Sequence, residues 1–412
     1  DTPPSTFKVR IDNVIHETYF DSYPQGPSLF VPYLVMSGLP EGEKLLAFGG
    51  YYSPENPNPD GSDYTFIHDC ADDELIQGWD WTQELIYSAG WIDLPIPGKT
   101  YYFKGVVRTN KAVYYSNTVT INTDGLPGYT PGPQDRVLPV VFHVMPRKDG
   151  TYPHPYFFDE MLACANRLYR NVWPLPGLAD AGIRFVPATH APDGTALSTP
   201  GIHYLDERYE LDLDISNEEL RQWVGDNLWE MTEVINVWVS PFINDHIVSE
   251  DTSTAGFTFL PYFAPEEMLQ GCNTAVPGCF SGIFLNQEIV GNGYCNSGIA
   301  VFAHEAGHYL GLDHVFEEDW CDDTPQYDRA RYRTEQYIPG IDTYLRYPID
   351  ASAEPYTALN VMDYDIVIYS GITPQQAERV RYTLQHACLV PGGKPLPGNM
   401  KSCAGPAPKV MY

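Results

Sequence analysis

Residues 304–314 read His-Glu-Ala-Gly-His-Tyr-Leu-Gly-Leu-Asp-His. Histidines four positions apart on a helix share a face, so the imidazoles of His304 and His308 can meet one ion at about 2.0–2.1 Å. Gly311 can take a positive φ, which stops the helix and lets His314 swing round as a third ligand. Three neutral imidazoles leave the fourth position of a tetrahedral zinc ion open to water, the arrangement of a catalytic site. Glu305, turned by about 100° from His304, would face that water as general base, while Zn2+ brings its pKa toward about 7 and polarises a carbonyl. The chemistry implied is hydrolysis of a peptide bond, with one catalytic zinc as cofactor. The bland alternative is histidines on an ordinary surface helix. Against it, Ala300–Ala303, Tyr309 and Leu310 are apolar and predict a buried helix over Gly298–Leu310, and buried imidazoles require a partner such as a metal.

The elements that must position this motif lie after one sharp change of composition. Asp124–Pro133 reads DGLPGYTPGP, a cluster that can continue neither a helix nor a central strand. Upstream, Thr100–Thr123 contains two β-branched and aromatic runs divided at Thr109–Lys111, a hairpin signal, and Leu29–Met36 and Lys44–Tyr52 also read as strands. A multidomain chain follows: an all-β sandwich over 1–123, a Gly/Pro linker over 124–134, and an α+β region over 135–412. In that last region Arg136–Met145, Ile183–Pro187, Val234–Val239 and Ser281–Asn286 read as strands, and Tyr156–Val172 and Asn217–Met231 as amphipathic helices. The Pro- and Gly-rich stretch Pro391–Tyr412 is expected to lie extended on the surface.

Two resemblances add to this. The run YYFKGVVRTNKAVYYSNTVTINT (101–123) resembles the last strands of fibronectin type III-like or immunoglobulin-like modules of secreted bacterial proteins. HExxHxxGxxH resembles the zinc motif of the metzincin metallopeptidases, whose second hallmark is a Met-containing turn beneath the metal. Asn360–Tyr364, NVMDY, looks like that turn. LPVVFHV (138–144), NVWV (236–239), AGFTFLP (255–261), DTP (323–325) and Ile372–Gln376 stand in the order found in the pappalysin family. The resemblance implies a twisted mixed sheet, an active-site helix and a Met-turn. It implies His304, His308 and His314 as zinc ligands, Glu305 as catalytic base, Met362 as the floor of the site, and Tyr364 as a phenol that stabilises the oxyanion. It further implies that Gly256, Phe257 and Thr258 lie on the edge strand along which substrate binds as an added strand.

The acidic loop from Glu317 to Thr324 offers several oxygen ligands, and the resemblance implies a structural Ca2+ on Asp322, Asp323 and Thr324. A solvated acidic loop is the alternative. Ile366, Val367, Ile368 and Tyr369 stand where family members carry a cysteine and acidic residues. Cys321 is therefore expected to be free or to pair elsewhere, for instance with Cys295, and an apolar primed-side pocket is expected in place of one that selects Arg.

Charge and composition set the outer limits. The chain has 412 residues, 54 acidic against 24 basic side chains and a net charge of −30, which disfavours a nucleic-acid partner. Its apolar runs are too short for a transmembrane helix. The start at Asp-Thr-Pro-Pro-Ser and the even cysteine count, eight, suggest an exported protein, secreted or anchored at the cell surface as a lipoprotein with its signal removed, in which disulfides are permitted. The partner expected is a protein or peptide substrate; the sequence gives no oligomeric state. The reading is a zinc-dependent endopeptidase. The alternatives are an adhesion protein built on an inactive peptidase scaffold, or an active metzincin of another family.

Overall fold

The computed structural model describes residues 7–18, 28–93, 95–126, 135–173, 175–214, 217–243, 254–259, 281–288, 290, 295–317, 319–329, 337–338, 343–350, 352–357, 359–364, 370–387, 389–393 and 408–411. The chain divides into two compact units, 1–128 with 291–295, and 129–290 with 296–412.

The first unit is all β apart from one helical turn, α1 (Glu74–Gln77). Strands β1 (Lys8–Thr18), β2 (Ser28–Ser37), β5 (Leu85–Ser88) and β6 (Ile92–Asp93) form one antiparallel sheet, with β5 and β6 both on β2. The other runs β4 (Tyr64–Asp69), β3 (Leu45–Ser53), β7 (Thr100–Thr109), β8 (Val113–Asn122). The β7–β8 hairpin turns at the predicted residues because the Thr109 hydroxyl caps the turn, accepting the Lys111 and Ala112 amides. The sheets meet face to face: Phe48 of β3 packs on Tyr87 of β5, and Gly105 of β7 has no Cβ where Leu34 of β2 presses on it. Alternation is the reason, since β7 buries Tyr101, Phe103 and Val107 while its other face is more open.

In the second unit β9 (Arg136–Val144), β10 (Ile183–Pro187), β11 (Ile202–Tyr204), β13 (Ile235–Ser240) and β16 (Ile283–Asn286) are mutually parallel. β9, β13 and β16 carry long apolar runs, as strands covered on both faces must. β15 (Gly256–Phe259) runs antiparallel beside β16, giving the order β10-β9-β13-β16-β15 with β11 also on β9. Beyond β15, β20 (Pro408–Met411) adds a further antiparallel strand. Four residues of the segment expected to lie extended are thus paired into the sheet; composition could not show a pairing so distant in sequence. Short strands complete the unit: β12 (Leu211–Asp212) with β14 (Phe242–Ile243), and β17 (Tyr337–Ile338), β18 (Thr343–Arg346) and β19 (Tyr356–Thr357) in a three-stranded sheet.

Helices α2 (Pro155–Tyr169), α3 (Asn217–Val224), α4 (Cys295–Tyr309) and α5 (Pro374–His386) accompany the sheet. α3 stops at Val224, short of the predicted Met231, because Gly225 takes a φ of +46° and the chain tightens into a single 3-10 turn. α4, by contrast, is buried nearly all round: Ala300, Val301, Phe302, Ala303, Ala306 and Tyr309 are at most 3% exposed. Phe302 packs against Phe142 of β9 and Phe185 of β10, so the helix carrying the histidines is clamped to the sheet. Among the described residues no helix is long and apolar enough to cross a membrane.

Candidate metal centre and active site

His304 and His308 project from one face of α4 with ring centroids 4.8 Å apart. The helix ends as predicted. Gly311 has a φ of +87°, its amide bonds to the His308 carbonyl, and the Leu312 amide reaches back to Gly307. This pair of bonds closes a Schellman motif, which only a residue tolerant of positive φ can form without strain. The turn places His314 with its ring 4.6 Å from His308 and 5.3 Å from His304. All three histidines are buried, and their ligating nitrogens lie within 4.8 Å of one another.

Their hydrogen bonds test whether a metal fits. His304 Nδ1 is 2.7 Å from the Val361 carbonyl oxygen, and His308 Nδ1 is 2.7 Å from that of Leu312. A carbonyl only accepts, so each Nδ1 carries the proton and each Nε2 presents a lone pair. His304 Nε2 is buried with no hydrogen-bond partner, and the Nε2 atoms of His308 and His314 stand 3.1 Å apart. Lone pairs on His304 and His308 Nε2 converging with the His314 ring in a dry site suit a cation, and Nδ1 anchored to backbone is the support that imidazole ligands of zinc commonly have. Burial lowers the His304 pKa to about 3, so the ring is the neutral form that coordinates. The residues fit zinc; among the described residues this is the one cluster of three or more His, Cys, Asp or Glu side chains able to hold a metal.

Glu305 is fully buried and neither carboxylate oxygen has a hydrogen-bond partner. Burial raises its pKa to about 8. β15 passes beside it so closely that a Cβ on Gly256 would lie 3.2 Å from Glu305 Cγ. Gly256 and Thr258 thus lie beside Glu305, and Phe257 turns the other way, stacked on Phe284 of β16; the strand they form is not an edge as expected, because a further strand pairs with it. The far edge of β15 is taken by β20, in the register Gly256–Met411, Phe257–Val410, Thr258–Lys409 and Phe259–Pro408.

The Met-turn closes the site from below. Met362 is fully buried, and a Cβ on Gly307 would collide with its sulfur and lie 2.7 Å from the Tyr169 hydroxyl. Gly307, a residue that sequence reasoning passed over as filler between the histidines, is therefore glycine because the methionine lies there. Asn360 holds the turn, accepting the Met362 amide at 2.9 Å and donating to Gln376 Oε1 at 2.8 Å. Gln376 is also the N3 residue of the capping box that Thr373 opens on α5. The Tyr364 ring lies edge-on to His314 at 4.7 Å, 6.1 Å from His304.

A second missed group lies behind Tyr364. Asp363 and Arg346 are both fully buried and paired, Arg346 Nε donating to Asp363 Oδ2 at 3.0 Å. Asp363 Oδ1 accepts the Tyr327 hydroxyl and the Tyr364 amide at 2.7 and 2.8 Å. No spacing rule links an arginine at 346 to an aspartate at 363; only the fold brings them together.

The calcium expectation does not fit these residues. Asp323 spends one carboxylate oxygen on the Thr373 hydroxyl and the other on the Gln375 amide, which makes it a cap for α5. The Thr324 hydroxyl bonds to Asp319 and to the Cys321 carbonyl, and Asp322 is exposed. Nor do the described cysteines form disulfides. Cys70, Cys164 and Cys321 are free and buried, with burial pushing the Cys70 and Cys321 thiols up to about 11 and 12. The side chain of Cys295 and residues Cys272, Cys279, Cys388 and Cys403 lie outside the described residues, as do Leu260, Pro261, most of the 124–134 linker, and Ile366–Tyr369 of the expected apolar pocket.

Comparison with known proteins finds, among solved structures, mirolysin in complex with a compound at 19% identity, covering 60% of this chain and 91% of that one with a TM-score of 0.43. Mature Tannerella forsythia mirolysin with a cleaved peptide matches similarly, at 19% identity, 61% and 92% coverage and a TM-score of 0.42. No curated protein matches. Residues 218–385 match the peptidase M43 family, described as pregnancy-associated plasma protein-A. That span runs from α3 through the zinc motif and the Met-turn to the end of α5. Residues 218–385 accordingly form a zinc metallopeptidase domain of the M43, or pappalysin, type.

Proposed function

We propose that the protein is an endopeptidase in which Glu305 is the general base and acid, Tyr364 the oxyanion donor, and β15 the strand that aligns the substrate. The observation that carries this is the placement of Glu305, a buried carboxylate without a hydrogen-bond partner, one residue from the first of three converging imidazoles. Zinc held by His304, His308 and His314 supplies Lewis acidity, polarising the scissile carbonyl and lowering the pKa of water. The Glu305 carboxylate takes the proton of the attacking water and hands it to the departing amine nitrogen. The Tyr364 phenol, its ring packed against His314, donates to the oxygen on which negative charge develops. Once β20 gives up its place on β15, backbone groups of Gly256, Phe257 and Thr258 pair with the substrate main chain, which presents the bond as an extended strand. Met362 and Gly311 act through the histidines, by packing and by the turn.

The test is Glu305→Ala. The variant is expected to keep its zinc, measured by metal analysis, and to lose at least about 10²-fold in casein or peptide-library turnover; full activity with zinc bound would overturn the mechanism. An adhesion protein on an inactive scaffold has no need of a base so placed. The composition supports export from the cell, and fractionation of the native host tests it.

A further inference from the structure

Beside the metal centre Phe316 stacks on His314 at 4.8 Å and meets the Tyr364 ring at 4.8 Å. The guanidinium of Arg329 lies over both aromatic faces, its Cζ 4.0 Å from the Tyr364 centroid and 4.9 Å from that of Phe316. These three residues touch one another, and Phe316 and Arg329 also line a cavity of about 860 Å³ that extends along Tyr327, Tyr347, Pro348 and Ile349. The cavity therefore begins at the residues against the third zinc ligand and the proposed oxyanion donor.

Among the described residues Arg329 has no acid partner. Among the described residues it forms no ion pair or hydrogen bond, and its Nε is buried without one. In a chain with 54 acidic and 24 basic side chains, an arginine beside the site with no carboxylate on it among the described residues is unusual on numbers alone. Asp328 and Glu354 border the same cavity, but both are exposed to solvent and neither pairs with Arg329. Contact with two aromatic rings uses none of the guanidinium's N–H donors, and a planar guanidinium fork matches a carboxylate bidentately.

We infer that Arg329 is a specificity-determining residue, and that the cavity receives a substrate carboxylate, so that the peptidase cleaves next to acidic rather than basic residues. The inference rests on the proposed peptidase function. Ile366–Tyr369, from which an apolar pocket is expected, lie outside the described residues, and the inference is drawn from Arg329 and its cavity alone. A carboxylate can come from a Glu or Asp side chain or from a free peptide C-terminus, and the experiment separates the two.

The zinc-loaded protein is assayed on fluorogenic peptides that differ only in Glu, Gln or Lys at each position around the cleaved bond, all amidated, and on the Gln peptides with free C-termini. At one position the wild type is expected to favour Glu over Gln by about 10-fold or more in kcat/KM, carried by KM, with Lys poorest. If instead the free acid is favoured over the amide, the carboxylate is terminal, which also supports the inference. Arg329→Gln should bring the ratio close to one, and Arg329→Lys should retain part of it. Equal cleavage of Glu, Gln and Lys peptides and of acid and amide would overturn the inference. So would an unchanged ratio in Arg329→Gln with all peptides slowed alike, since that is the signature of a mere prop for Tyr364. No cleavage of any peptide by the zinc-loaded wild type would instead count against the peptidase reading itself.

Discussion

His304 is oriented by Val361: its Nδ1 lies 2.7 Å from that carbonyl oxygen, joining the first zinc ligand to the turn that carries Met362. The bond fixes the tautomer and spends no side chain to do so. What holds Val361 in place is the next residue outward, Asn360, which ties the turn to α5 through Gln376. Asn360→Ala is therefore expected to weaken zinc binding by about 10–100-fold, the usual cost of losing a support for a metal-bound imidazole. Competition with a zinc-chelating dye measures it, and an unchanged affinity would show that the turn holds its shape without Asn360.

Gly307 and Met362 form an interlocked pair, because a Cβ at 307 would enter the space of the methionine sulfur. Gly307→Ala should lower stability by about 1–3 kcal/mol through overpacking. Met362→Ala in the same chain should restore part of that loss, since it vacates the contested volume. The coupling read from a double-mutant cycle should be about 0.5–3 kcal/mol. Strict additivity of the two effects would contradict the interlock.

Asp319 makes a pH prediction. It is 4% exposed, and burial pushes its carboxyl up from 3.8 to about 6, against hydrogen bonds from Thr324 and the Cys321 amide that favour the ionised form. The other charges that face it are Arg379, which favours ionisation, and Asp313, which opposes it. A carboxyl raised in the folded state stabilises most below its unfolded pKa, near 4, and that contribution is lost as pH rises through 6. A shift of about two units corresponds to roughly 3 kcal/mol. Asp319→Asn does not titrate, and its amide can donate to the Thr324 hydroxyl as the protonated acid does. Urea unfolding of zinc-free protein from pH 4 to 7.5, which leaves metal loss out of the comparison, should show the wild type falling relative to Asp319→Asn. Parallel curves would mean that Asp319 ionises normally in the fold.

What was legible in the sequence was what is local. The eleven residues of the zinc motif sit on one helix and one turn, so periodicity and a single glycine suffice to bring His304, His308 and His314 together. The β7–β8 hairpin was readable for the same reason, with its turn chemistry contained in Thr109–Ala112. Asp363 with Arg346, Gly307 with Met362, and Asp323 with α5 were not readable, since each residue type has many uses and the partner is chosen by the fold. Asp322 to Thr324 looked like a metal loop because acidic clusters serve helix N-termini as readily as cations.

β20 bears on all of this in a different way. A substrate that pairs with β15 needs the edge where Pro408–Met411 now lies. Deletion of residues 408–412 is expected to lower KM for a short peptide by about an order of magnitude at constant kcat; an unchanged KM would mean that substrate and segment use different edges. A strand tethered to the same chain presents itself at an effective concentration on the order of millimolar. Substrate has to compete with that local concentration before the first bond is cut. Turnover would then rise with the abundance of target protein in the surroundings, and at low abundance the cleft would be filled by the enzyme's own chain.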